Sequence, residues 1–138
     1  MPVVRFSISL EKDLLGRFDN LINRKGYSSR SEAIRDLIRD SLVKEETGSP
    51  DGEGIGVITL VYSHDQRDLT DRLVDLQHDY YALIESTLHH HLDEHNCLEV
   101  IVVRGRVREV REMADRLIGT KGVKHGKLVI TTPGWGLE

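Results

Sequence analysis

Between His78 and Glu99 the chain carries five of its seven histidines, His78, His89, His90, His91 and His95, together with its one cysteine, Cys97. Imidazole and thiolate are the side chains that hold borderline divalent metals, so this stretch reads as a metal-binding segment. On a strand, successive side chains point to opposite faces. In TLHHHL this puts His89 and His91 on one face and His90 on the other with Leu88 and Leu92. Cys97 opens the apolar run CLEVIVV, which reads as the returning strand of a hairpin. A loop made only of DEHN would set Cys97 opposite Leu92, on the His90 side; a five-residue loop or a bulge sets it opposite His91. An irregularity at 92–96 is therefore expected. His78, a helix and a turn upstream, can complete the set from the same chain or from a neighbouring one. Three nitrogens and a thiolate suit zinc, copper or nickel, and a planar set points to Cu(II) or Ni(II) rather than zinc. The plainer alternative is surface histidines beside a small buried cysteine, and His90 and His95 are read that way.

The elements that must position these residues follow from periodicity. From Ile55, the run IGVITLVY, a helix from about Arg67 to Tyr81, the two hairpin strands, the helix VREVREMADRLI and the strand KLVITT give the order βαββαβ. This is the ferredoxin-like split βαβ plan. The last helix is amphipathic through Val107, Val110, Met113, Ala114, Leu117 and Ile118. The tail from 133 to 138 carries the one tryptophan, Trp135.

The first 43 residues read strand, helix, helix. Val4, Phe6, Ile8 and Leu10 alternate with Arg5, Ser7 and Ser9. Leu14, Leu15, Phe18, Leu21 and Ile22 form a helical stripe that Gly26 ends, and Ser29 with Glu32 forms a capping box for a second helix. Such a unit is too small to bury its apolar faces, and one strand has no sheet to join. Two copies pairing their strands would make a two-stranded ribbon that displays Arg5, Ser7 and Ser9. A ribbon of that kind fits the DNA major groove, where arginine holds guanine and hydroxyls meet base edges. The helix start at Ser29, Arg30 and Ser31, with Arg35 nearby, offers N–H groups and charge to phosphate. The alternative is a strand with a merely wet polar face.

VRFSISL, GYSSRSEAIRD, QH, LHHHL and CLE, taken together and in order over nearly the whole chain, resemble the nickel-responsive transcriptional regulators (NikR family). The ribbon-helix-helix motif alone is shared with many antitoxins; the histidine and cysteine pattern behind it is what makes the resemblance specific. The resemblance implies an α+β protein: residues 1–45 a ribbon-helix-helix DNA-binding domain, 46–54 a linker, and 55–132 an ACT-like domain for nickel binding and tetramerisation. It implies one Ni(II) per chain in a square plane, held by His89, His91 and Cys97 of one subunit and His78 of another. Glu99 is a candidate to hold a ligating imidazole. It further implies Arg67 as a phosphate contact, an alkali cation (K+) at Glu32 and Asp36, and a homotetramer bound to a double-stranded operator. Nickel-uptake genes would be repressed when nickel is sufficient. Ser7 and Ser9 stand where relatives often show threonine, which removes a methyl that could meet thymine.

Composition bounds the remaining classes. Net charge is −4, yet residues 1–45 hold nine Lys or Arg against seven Asp or Glu, while 46–138 hold ten against sixteen. The basic surplus thus lies in the half read as DNA-binding. One cysteine makes no internal disulfide, and no apolar stretch has signal or membrane length, so a cytoplasmic protein with no membrane partner is expected. A Gly-rich phosphate loop, a nucleophile motif and an acid–base partner for the histidines are all missing, which argues against an enzyme and against a small organic substrate. The rival readings are an antitoxin-like ribbon-helix-helix repressor and a regulator responding to zinc, copper or cobalt.

Overall fold

The computed structural model describes residues 2–135 and 137. The chain divides into two compact units, Met1–Ser41 and Leu42–Glu138.

In the first unit α1 spans Lys12–Arg24 and α2 begins at Arg30. Gly26 stops α1 in the left-handed region, at φ 83°. The Tyr27 N–H returns to the Ile22 carbonyl at 3.0 Å, closing the helix end. Ser29 Oγ accepts the Glu32 N–H at 3.2 Å, so the expected cap of α2 is made. Arg30 clasps Asp19 through two hydrogen bonds of 2.9 and 2.8 Å, tying the start of α2 to α1. The strand expected at 4–10 is not formed: residues 2–11 carry no ladder and are exposed throughout. A strand needs an edge to pair with, and a single chain offers this segment none.

The helix α2 runs on to Thr47, and β1 starts at Glu53. Regular structure therefore narrows the connection to 48–52, shorter than the 46–54 expected. Its end is docked rather than loose. The carbonyls of Pro50 and Gly52 accept the N–H groups of Arg108 and Val107 at 3.0 and 2.9 Å, supplying partners that the start of the next helix lacks.

The second unit follows the expected βαββαβ order: β1 (Glu53–Ser63), α3 (Arg67–Asp79), β2 (Ile84–His91), β3 (Asn96–Arg106), α4 (Val107–Ile118) and β4 (Val123–Thr131). A short 3-10 turn at Tyr81–Leu83 ends α3 two residues early and leads into β2. The sheet order is β2-β3-β1-β4, and every neighbouring pair is antiparallel. Alternate residues of β1 and β3 are buried, Ile58, Leu60 and Tyr62 from one and Cys97, Glu99, Ile101 and Val103 from the other. They pack against Leu69 and Leu73 of α3 and Val110, Met113, Ala114 and Leu117 of α4. Gly56 permits this contact, since a Cβ there would stand 2.6 Å from a Val110 methyl. At the end of the chain, Trp135 lies over the Arg104 guanidinium, 5.1 Å from the ring centre.

Candidate functional site

The hairpin register decides the chemistry. His91 pairs with Cys97, His89 with Glu99 and His90 with Leu98. Five residues separate His91 from Cys97, and the Leu92 N–H reaches the Asn96 carbonyl at 2.9 Å. The odd-length connection is thus the irregularity expected at 92–96. The register shift lies at the other end of the hairpin, between Ile84 and Ser86. Asp93 fixes the turn by accepting the N–H groups of His95 and Asn96, each at 2.8 Å. Those bonds, Asn96 first, hold its carboxyl down to about 2.

His89, His91, Cys97 and Glu99 consequently share the face that looks toward the helices. Cys97 and Glu99 are buried at its floor, whereas His89 and His91 are exposed at the sheet edge. Burial raises the Cys97 thiol, the Tyr62 hydroxyl opposes this, and the Glu99 charge adds to it. A metal must therefore displace a firmly held proton to gain the thiolate.

Glu99 is the junction of the site. Tyr62, from β1, donates its hydroxyl to Oε1 at 2.8 Å. Gln77, from the last turn of α3, donates its amide to Oε2 at 2.9 Å. His89 Nε2 stands 3.3 Å from the same oxygen. Burial, then the Glu99 carboxylate, pushes Tyr62 far above the ordinary phenol range. The hydroxyl remains a donor.

His64 closes the other side. Its ring meets His91 edge to face, 5.1 Å between centres, and its Nε2 is buried without a hydrogen-bond partner. Its backbone N–H binds the His95 carbonyl at 3.0 Å, and the His95 ring pairs with Asp65 at 2.5 Å. His95 is therefore part of the turn's scaffold. His78 is exposed on the last turn of α3. Among the described residues of one chain, no three His, Cys, Asp or Glu side chains converge to hold an ion. The donor types fit a metal, two imidazoles above a buried thiol with an orphaned imidazole nitrogen beside them, but one chain does not close the coordination sphere.

Arg5, Ser7 and Ser9 lie exposed on the unpaired segment, as do Ser31 in α2 and Arg67 at the start of α3. The remaining phosphate candidates have partners in the chain: Ser29 caps α2, Arg30 holds Asp19 and Arg35 pairs with Glu32. Asp36 accepts the Tyr27 hydroxyl and lies 3.9 Å from Arg39. Glu32 and Asp36 are thus each engaged by a neighbour. Sequence reasoning missed Tyr62, Gln77 and His64 as parts of the metal hairpin's surroundings. The cross-sheet pairing of Tyr62 with Cys97 carries no local signal, and Gln77 enters the sequence pattern only as the neighbour of His78 in the QH pair.

A ribbon-helix-helix half followed by a βαββαβ half with clustered imidazole, thiol and carboxylate is the plan of a DNA-binding regulator with a metal-binding second domain. Residues 4–45 match the family model of ribbon-helix-helix proteins of the copG family, and residues 55–131 match that of the NikR C-terminal nickel-binding domain. The chain is 57% identical over 134 residues to a protein of Pyrococcus furiosus assigned as a nickel-responsive regulator, covering 97% of both chains. It is 59% identical over 135 residues to one of Geobacter sp. (strain M21) with the same assignment, covering 98% of this chain and 97% of the relative. The chain belongs to the nickel-responsive regulator family, a family of regulators and not of enzymes. Among the described residues no helix is long and apolar enough to cross a membrane.

Proposed function

We propose that the protein is a nickel-dependent, sequence-specific DNA-binding regulator of the cytoplasm that represses nickel-uptake genes when nickel is sufficient. The observation that carries this is the register, His91 opposite Cys97 and His89 opposite Glu99, which aligns two imidazoles, a thiol and an orienting carboxylate on one face. His89, His91 and Cys97 of one copy, with His78 of another, form a four-donor set for one Ni(II) per chain. With Nε2 of His89 held at Glu99, its Nδ1 is the atom free to ligate. When bound, the ion supplies a charge centre that donors from two copies share.

Assembly is supported by the open face of the sheet, where Leu88, Leu92 and Val129 stay exposed, and by the apolar face of 4–10. Both suit a homotetramer built as a dimer of dimers. Arg5, Ser7 and Ser9 read base edges in the major groove, while Ser29, Arg30, Ser31, Arg35 and Arg67 meet phosphates. Glu32 and Asp36, one turn apart on α2, are the carboxylates for an alkali cation such as K+, which must displace Arg35 and Tyr27 to bind there. Regulation follows if the shared site binds nickel more tightly in the arrangement that sets both ribbons on one operator face.

The test is an optical titration of the metal-free full chain with Ni(II), with Cys97→Ala alongside. Saturation at one ion per chain, with a thiolate charge-transfer band and a square-planar ligand field that the variant loses, is expected. Nickel-dependent operator binding should vanish in Cys97→Ala while the fold is kept. A six-coordinate spectrum, no thiolate band, or unchanged nickel dependence in the variant sinks this reading.

A further inference from the structure

Glu99 is a carboxylate only 2% exposed, and its partners come from three different elements: β1, β2 and α3. A buried charge depends on every donor it has, so displacing one partner disturbs the others. One of those donors, Gln77, directly precedes His78. Neighbouring helical residues point about 100° apart, and here Gln77 turns inward to Glu99 while His78 stays exposed. Gln77 also supplies the carbonyl that accepts the Tyr80 N–H at 3.2 Å where α3 ends. Its side chain and backbone together thus fix the turn that presents His78.

We propose that Gln77 is a positioning residue that couples the two half-sites each copy contributes, joining the helix turn that carries His78 to the hairpin that carries His89. The inference rests on the shared four-donor site proposed above and adds a consequence to it. When His89 takes its own copy's ion through Nδ1, the ring and the Glu99 carboxylate that faces its Nε2 shift together, and Gln77 passes that shift to the turn whose His78 serves another copy's ion. Filling one site therefore prepares the next.

The test uses Gln77→Met in the full chain, which keeps the bulk of the side chain and removes the donor. Ni(II) is titrated against a competing chelator, with the thiolate band and thermal melting as parallel readouts. The wild type should titrate with a Hill coefficient above unity. In Gln77→Met the coefficient should fall to unity and apparent affinity should weaken about 10-fold, with the thiolate band and a cooperative melting transition retained. A wild type that titrates at unity, or a variant that keeps the wild-type coefficient, overturns the coupling and leaves the nickel site standing. A wild type without a thiolate band overturns the nickel site and the coupling together.

Discussion

The two units treat the same apolar alternation in opposite ways. Ile58, Leu60 and Tyr62 of β1 are sealed under the helices at 2% exposure or less, while Phe6 and Ile8, spaced just as regularly, remain 65% and 60% exposed. Hydrophobicity does not separate the two segments. Topology does: β1 finds β3 and β4 as ladders in its own chain, and 4–10 finds none. Among the described apolar residues of the first unit only Ile22 and Ala33 are buried, and Leu14, Leu37 and Ile38 stay open. A unit of this kind leaves its apolar face uncovered, and the proposed pairing with a second copy would supply the missing half.

The largest effect should come from breaking that missing half. Phe6→Asp removes an apolar side chain whose burial would contribute about 2–3 kcal/mol in each copy, and it puts two carboxylates into the ribbon interface. Operator binding measured by fluorescence anisotropy should be lost, while the melting transition of the C-terminal unit stays where it was. Retained DNA affinity would mean that residues 4–10 do not pair with a second copy, and the contrast between the units would fail.

The contrast can be sharpened from the completed side with Gly56→Ala. The added methyl would lie 2.6 Å from Val110 and 3.0 Å from Val103, both fully buried, so α4 must move or strain. Overpacking of this sort costs about 1–3 kcal/mol. The urea midpoint of the C-terminal unit should fall accordingly, with ribbon pairing unaffected. An unchanged midpoint would show that α4 is free to shift on the sheet.

What was legible in the sequence divides along the same line. Elements with strong local periodicity, such as α4 with its five buried positions from Val107 to Leu117, fell where the pattern put them. The hairpin register was legible too, because loop parity alone decides which face Cys97 takes. Strand 4–10 was legible as a pattern but not as a structure, since among the described residues it meets no strand to pair with. Tyr62 and Gln77 were not legible as functional groups. Their roles arise from contacts to Glu99 across 37 and 22 residues, which no local spacing encodes. The docking of Pro50 and Gly52 on α4 was equally hidden, because a glycine-rich polar run reads as free linker whether or not its carbonyls find donors.

The smallest effect separates two roles of one residue in the incomplete unit. Ser29 caps α2 through the Glu32 N–H and is also a candidate phosphate contact. Ser29→Ala should destabilise α2 by about 1 kcal/mol, a loss that weakens DNA binding whichever role matters. Ser29→Asp distinguishes them, because a carboxylate still caps the helix and favours its N-terminus but repels a phosphate. If Ser29 meets the DNA backbone, the Asp variant should melt like the wild type yet bind every operator more weakly, with the deficit shrinking as salt is raised and screens the repulsion. If Ser29 only caps, stability and DNA binding should both stay at wild-type levels in Ser29→Asp. The N-terminal half would then owe its phosphate contacts to Ser31, Arg30 and Arg35, and the last two must release Asp19 and Glu32 to make them.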